Sequence, residues 1–207
     1  DHIAVGALTR HCDVENSPIV MEHAPLLAHA TSHVGDPQVR HRGTIGGSLA
    51  HADPASDLPA TTLALGATYV VQGPNGTREI PAGSFYEGYL TSVLAADEML
   101  TEIRVPKMNG AGWSFQKFNR RAQDWAIVGV AAWRNGSDAG VALVNMASVP
   151  VLATSVGSAI ASGASIEDAA EQAAVEADPQ ADLNASVEYR QHLARVLTRR
   201  ALEEASA

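Results

Sequence analysis

The sequence predicts a chain that mixes strands and helices in two successive units. Three observations carry this. A Pro74-Asn75-Gly76 turn sits between two strand-like runs in "TYVVQGPNGTREI" (68–80), which is a hairpin signal. "KMNGAG" (107–112) has the composition of a linker. Beyond it the pattern becomes three strands followed by helices. With 207 residues the chain suits one large domain or two small ones.

In the first unit, "HIAVGAL" (2–8) reads as a short strand of small residues. "APLLAHATSHVG" (24–35) reads as a helix. Pro25 suits its first turn, Leu27, Ala30 and Val34 share a face, and Gly35 stops it with Asp36-Pro37 beyond. A glycine-rich loop follows at 43–48. Asp53 then reads as an N-cap with Pro54 at the first helical position of a helix running to about Leu65. "EMLTEIRVP" (98–106) is a strand ended by Pro106.

In the second unit, strands are expected near 113–119, 126–134 and 140–148, with Asn135-Gly136-Ser137-Asp138 turning between the last two. A helix near 152–162 should end at Gly163. Ser165 to Asp168 has the form of a capping box before "EDAAEQAAVEA", which Asp178-Pro179 breaks. A last helix over 186–204 places Tyr189, Leu193, Val196 and Leu197 on its apolar face.

Composition excludes several function classes. Hydrophobic residues make up 46% and aromatics 5%, so the core relies on Ala, Val, Leu and Ile. A net charge of −9 argues against a nucleic-acid partner. The single cysteine, Cys12, can form neither an internal disulfide nor an iron–sulfur or zinc site, so a reducing, cytoplasmic setting is the expectation. The uncharged run 139–166 contains Asn145, Ser148, Pro150 and Gly157, too polar for an integral membrane segment. His29 and His33 lie one helical turn apart but lack a third ligand, so no metal centre is expected. Trp113, Trp125 and Trp133 read as core or interface residues. Arg120-Arg121 reads either as solvated charge or as a contact to an acidic partner or to cofactor phosphates.

The chemistry concentrates in "RHRGTIGGSLAHADPASDLPA" (40–60). Adjacent glycines reach positive φ freely and leave their N–H groups bare, which makes concave anion sites. Thr44 and Ser48 add hydroxyl donors, so a diphosphate is a suitable guest. The spacing is neither a Rossmann nor a P-loop fingerprint, and a tight structural turn is the competing reading. Asp57 suits a hydrogen bond to a ribose or flavin polar group, or helix-terminus electrostatics.

"RGTIGGSLAHADPASDLPA", with its run-in "VGDPQVRH", closely resembles the flavin-binding segment of the FAD subunit of molybdenum hydroxylases, the family of aerobic carbon monoxide dehydrogenase and, more distantly, xanthine dehydrogenase. "EMLTEIRVP", "FQKFNRRAQDWAIVGVAAW" and "NASVEYRQHLARVLTRRALEEA" resemble later blocks of that family in the same order, so the resemblance spans essentially all of the chain. It implies an α+β architecture. Residues 1–108 would be the second subdomain of a vanillyl-alcohol-oxidase-like (PCMH-type) FAD-binding domain. Residues 109–207 would be a C-terminal flavoprotein domain with a three-stranded antiparallel sheet plus helices. It implies FAD as cofactor, contacted by Thr44, Ile45, Gly46, Gly47, Ser48, Asp57, Leu100 and Lys117, with Gln116 as a one-residue alternative to Lys117, and His51 and Ala52 nearby. The family's other glycine segment, of the form A-G-G-x-S, has no match in this chain, which suggests a partial sequence, a protein lacking an N-terminal part, or a part supplied by another chain.

The function so implied is an electron-transfer flavoprotein subunit. It would take electrons from a 2Fe-2S small subunit, fed by a molybdopterin large subunit, and pass them through FAD to an external acceptor. No side chain of the chain is expected to act as a general acid or base. Valine at Gly46 or Gly47 should then remove FAD and leave the fold. The alternatives are a truncated structural or interaction module without flavin, and a stand-alone FAD reductase of the same fold.

Overall fold

The computed structural model describes residues 1–206. The chain opens on β1 (His2–Gly6) and continues through six short helices: α1 (His11–Asn16), α2 (Pro18–His23), α3 (Pro25–Ser32), α4 (Pro37–Arg42), α5 (Ile45–His51) and α6 (Asp57–Ala64). Strands β2 (Thr68–Gly73), β3 (Gly76–Pro81), β4 (Tyr86–Gly88), β5 (Thr91–Ser92) and β6 (Met99–Pro106) complete the first unit. β1, β6, β2 and β3 pair in that order as an antiparallel sheet. β4 and β5 form a small separate hairpin.

The second unit contains β7 (Gly112–Phe118), β8 (Val128–Asn135), β9 (Asp138–Val144), β10 (Val151–Leu152), α7 (Thr154–Ala161), α8 (Ile166–Glu171) and α9 (Val187–Glu204). Its sheet has the antiparallel order β10-β9-β8-β7. The alternation of strand side chains divides this sheet between two cores. Phe115, Ala131, Ala142 and Val144 pack with residues of the first unit, such as Leu27, Leu58 and Leu63. Val130, Ala132, Val141 and Leu143 face Val156, Leu193, Leu197 and Leu202 of the covering helices. The two units thus share a continuous apolar contact through one sheet face.

Several elements differ from the sequence reading, each for a local reason. The helix expected over 24–35 ends at Ser32, and Asp36 caps the next helix instead, accepting from the Val39 N–H at 2.8 Å. Asp53 does not cap α6: its carboxylate accepts from the Ala55 N–H at 2.9 Å within a turn, and α6 starts at Asp57 after Ser56. A fourth strand, β10, pairs with β9, so the second sheet is four-stranded rather than three-stranded. β9 stops at Val144 rather than near 148, because Asn145 takes the left-handed conformation at φ 61°. α8 keeps its expected cap, with Ser165 Oγ accepting from the Asp168 N–H at 3.0 Å, but stops at Glu171. In α9, Tyr189 lies outside the buried stripe and Arg190 lies within it.

Candidate functional site

The glycine stretch is a helix rather than a loop. Thr44 adopts extended backbone and its hydroxyl accepts from the Gly47 N–H at 3.2 Å, which fixes the start of α5. The segment is tied to the turn after β1: the Ile45 N–H donates to Thr9 O at 3.0 Å and the Gly46 N–H to Ala7 O at 2.9 Å. A Cβ on Gly46 would fall 2.5 Å from the Ala7 Cβ and 2.7 Å from the Ala7 carbonyl oxygen. That glycine therefore makes room for the protein's own backbone. The expectation of positive φ at the paired glycines fails, since neither has it. Gly47 is different. It is exposed, and the only obstacle to a Cβ there is the capping Thr44 hydroxyl, 2.9 Å away.

A cleft of about 230 Å³ opens between the units, with Ser48, Ser56 and Asp57 on one side and Lys117, Gln123 and Trp125 on the other. Val34 and Val39 supply apolar wall. Asp57, in the first turn of α6, is 4% exposed. One of its carboxylate oxygens, Oδ2, accepts from Lys117 Nζ at 2.7 Å, and the ammonium also donates to His33 O at 2.9 Å. Burial pushes the Asp57 carboxyl up, and the Lys117 ammonium pulls it back only in part. Its other oxygen, Oδ1, is buried with no protein partner. A buried carboxylate oxygen of this kind can accept one more hydrogen bond, from ordered water or from a bound molecule.

The remaining expected site residues separate clearly. Strand alternation puts Lys117 and Gln116 on opposite faces: Lys117 lines the cleft, and Gln116 donates to Glu204 of α9 at 2.8 Å. Ile45 is fully buried in the core, and only its backbone borders the segment. Leu100 is packed in the first unit's core at 7% exposure, paired with Val71, and does not line the cleft. His51 ends α5 on the surface, and Ala52 is its buried left-handed cap at φ 55°. His29 and His33 pack ring to ring at 4.6 Å, with Trp113 and Phe115 as further aromatic neighbours. Among the described residues no group of three or more His, Cys, Asp or Glu could hold a metal ion.

Of the core and interface readings, Trp125 is not in a core: it is 60% exposed at the lip of the cleft, a place the sequence did not assign to it. Its setting in the polar run "RRAQDWA" was the available signal.

Residues 1–108 match the FAD binding domain in molybdopterin dehydrogenase, and residues 113–205 match the CO dehydrogenase flavoprotein C-terminal domain. The chain belongs to the molybdopterin dehydrogenase flavoprotein family. It is 38% identical to the carbon monoxide dehydrogenase medium chain of Hydrogenophaga pseudoflava, over 99% of this chain and 75% of that one. It is 36% identical to the nicotine 6-hydroxylase medium subunit of Paenarthrobacter nicotinovorans, over 100% of this chain and 76% of that one. The solved carbon monoxide dehydrogenase of Hydrogenophaga pseudoflava superposes with a TM-score of 0.95 at 37% identity, covering 99% of this chain and 75% of the matched one. As a family member the chain is an FAD-binding flavoprotein subunit of an oxidoreductase. No helix among the described residues is long and apolar enough to cross a membrane. The partnerless Asp57 oxygen and the open approach to Gly47 fit a large polar cofactor.

Proposed function

We propose that this chain is the electron-transfer subunit of a molybdenum hydroxylase. It receives electrons from a 2Fe-2S small subunit, which a molybdopterin large subunit supplies, and delivers them to an external acceptor. FAD, when bound, supplies the electron-carrying chemistry. The chain's residues hold and orient it. The Thr44 and Ser48 hydroxyls would donate to the diphosphate, and the missing side chain at Gly47, whose N–H is held by Thr44, would let it approach. The partnerless Asp57 oxygen would accept from a polar hydrogen of the cofactor, and Lys117 would keep that carboxylate in place. Ile45 and Leu100 would act indirectly, by fixing the α5 backbone and the sheet beneath it.

The observation that carries this reading is the buried Asp57 carboxylate beside the cleft, held by Lys117 across the unit boundary with its other oxygen lacking a protein partner. The domain division at 108/109 belongs to the same proposal, with the cleft lying between the two domains. The test is the FAD content of the intact complex carrying Asp57→Asn. The amide keeps the shape but offers one acceptor where the carboxylate offers two. FAD per chain should fall several-fold. Undiminished FAD would remove Asp57 from the site.

A further inference from the structure

The chain has ten aromatic residues, and four of them stand exposed: Tyr89, Phe118, Trp125 and Tyr189. An aromatic-poor protein gains most from its rings by burying them. Yet Phe118 is 38% and Tyr189 43% exposed, and they meet edge to face at 6.4 Å. Tyr189 stacks in turn near His192 at 6.5 Å. Two residues beyond Phe118, Arg120 bonds Asn184 at 3.3 Å, which brings the fully exposed Leu183 alongside. Arg121 is exposed and forms an ion pair with Asp124, at 3.7 Å. The nearby Asp182 is held by the buried Arg190 at 2.8 Å, so it does not neutralise the arginine pair.

The Phe118–Tyr189 ring pair thus has Arg120 and Arg121 next along the chain on one side, and the Leu183–Asn184 segment joined to Arg120, which together we take as one patch. Rings and arginines of this kind dominate the energetics of protein interfaces. The patch carries two arginines, one of them paired with Asp124, on a chain whose net charge is −9. It also adjoins the cleft, because the loop from Phe118 carries Trp125 at the cleft's lip.

We infer that this patch is the docking surface for a second protein chain, one that presents carboxylates around an apolar contact and exchanges electrons at the cleft. The inference rests on the electron-transfer reading above, in which the adjacent partner is the 2Fe-2S subunit. Charge complementarity to the two arginines selects a partner whose docking face carries carboxylates, and the adjoining cleft selects one that exchanges electrons there. The aromatic pair supplies the buried anchor, and the two arginines steer and orient the approach.

The test uses the full flavoprotein co-expressed with its 2Fe-2S partner subunit, with association measured by sedimentation and FAD per chain measured on the same samples. The Arg120→Glu/Arg121→Glu double variant and Phe118→Ser should each weaken assembly about 100-fold. The charge variant should lose most at low salt, and FAD per chain should stay unchanged. Leu152→Ser, another exposed apolar position, should assemble as wild type. If a patch variant melts below wild type, Leu183→Glu at a fully exposed side chain decides in its place. Wild-type association in these variants overturns the inference. So does a loss confined to binding of anionic phospholipid vesicles with assembly intact. Absence of FAD from every sample, wild type included, would defeat the cofactor reading instead, and the sedimentation result would still decide the docking surface.

Discussion

Lys117 Nζ stands 2.7 Å from Asp57 Oδ2, and this buried ion pair joins the first unit to the second at the floor of the cleft. Both side chains are almost wholly removed from water. Lys117→Met would leave a buried carboxylate without its cation. Breaking such a pair costs roughly 3–5 kcal/mol. Denaturant unfolding should show that loss, and Asp57→Asn/Lys117→Met should recover part of it.

The same pair has a pH signature. Burial already raises the Asp57 carboxyl, and removing the ammonium leaves only the raising cause. A carboxyl with a raised folded pKa binds its proton more tightly when folded. Its contribution to stability is therefore present below its unfolded pKa and is lost as pH rises through its folded pKa. The gap between Lys117→Met and wild type should be smallest in acid and widen toward neutral pH. Thermal melts across that range measure it. A gap that is constant with pH would show that Asp57 does not titrate with the pair.

The two adjacent glycines should separate stability from binding. Gly46→Ala drives a methyl into the Ala7 backbone and should cost about 1–3 kcal/mol through overpacking. Gly47→Ala disturbs only the Thr44 cap, a loss of about 1 kcal/mol at most against a gain in helix propensity. Melting temperatures should fall for the first and hold for the second, while FAD per chain falls for Gly47→Ala.

These glycines also show what was legible in the sequence. The strand β6, the hairpin of β2 and β3, the linker and the Ser165 cap were readable, because each depends on turn or cap chemistry within a few residues. The helical state of α5 was not. Gly-Gly disfavours a helix, and the contacts that impose one come from Ala7 and Thr9, more than thirty residues away. Asp57 and Lys117 were legible as residues through family resemblance, but their pairing was not, since sixty residues separate them. Gly46 was read as making space for a ligand, although it makes space for Ala7.

Arg190 illustrates the same limit. A helical-face pattern gives no reason to bury an arginine, yet its guanidinium, 3% exposed, donates to the carbonyls of Ile127 and Asn145 and pairs with Asp182 at 2.8 Å. Arg190→Met should cost roughly 1.5–3 kcal/mol in hydrogen bonds to a charged group. Desolvation pushes the Asp182 carboxyl up, but the Asn184 and Ala185 N–H groups and Arg190 together outweigh it and bring the value to about 2. A depressed carboxyl contributes stability above its unfolded pKa and loses it as pH falls through the folded one. Wild type should lose stability between about pH 4 and about 2. Arg190→Met should lose less of it over that interval.

Whether FAD sits at the α5–Asp57 cleft is decided by the visible spectrum of the purified protein, with the cofactor released by denaturation and identified, for wild type and Gly47→Val side by side. Wild type should show oxidised-flavin bands and about one FAD per chain. Gly47→Val should lose both, with a melt above that of Gly46→Val. A colourless wild type that takes up no added FAD, or a Gly47→Val protein with full flavin content, would contradict FAD binding at this cleft.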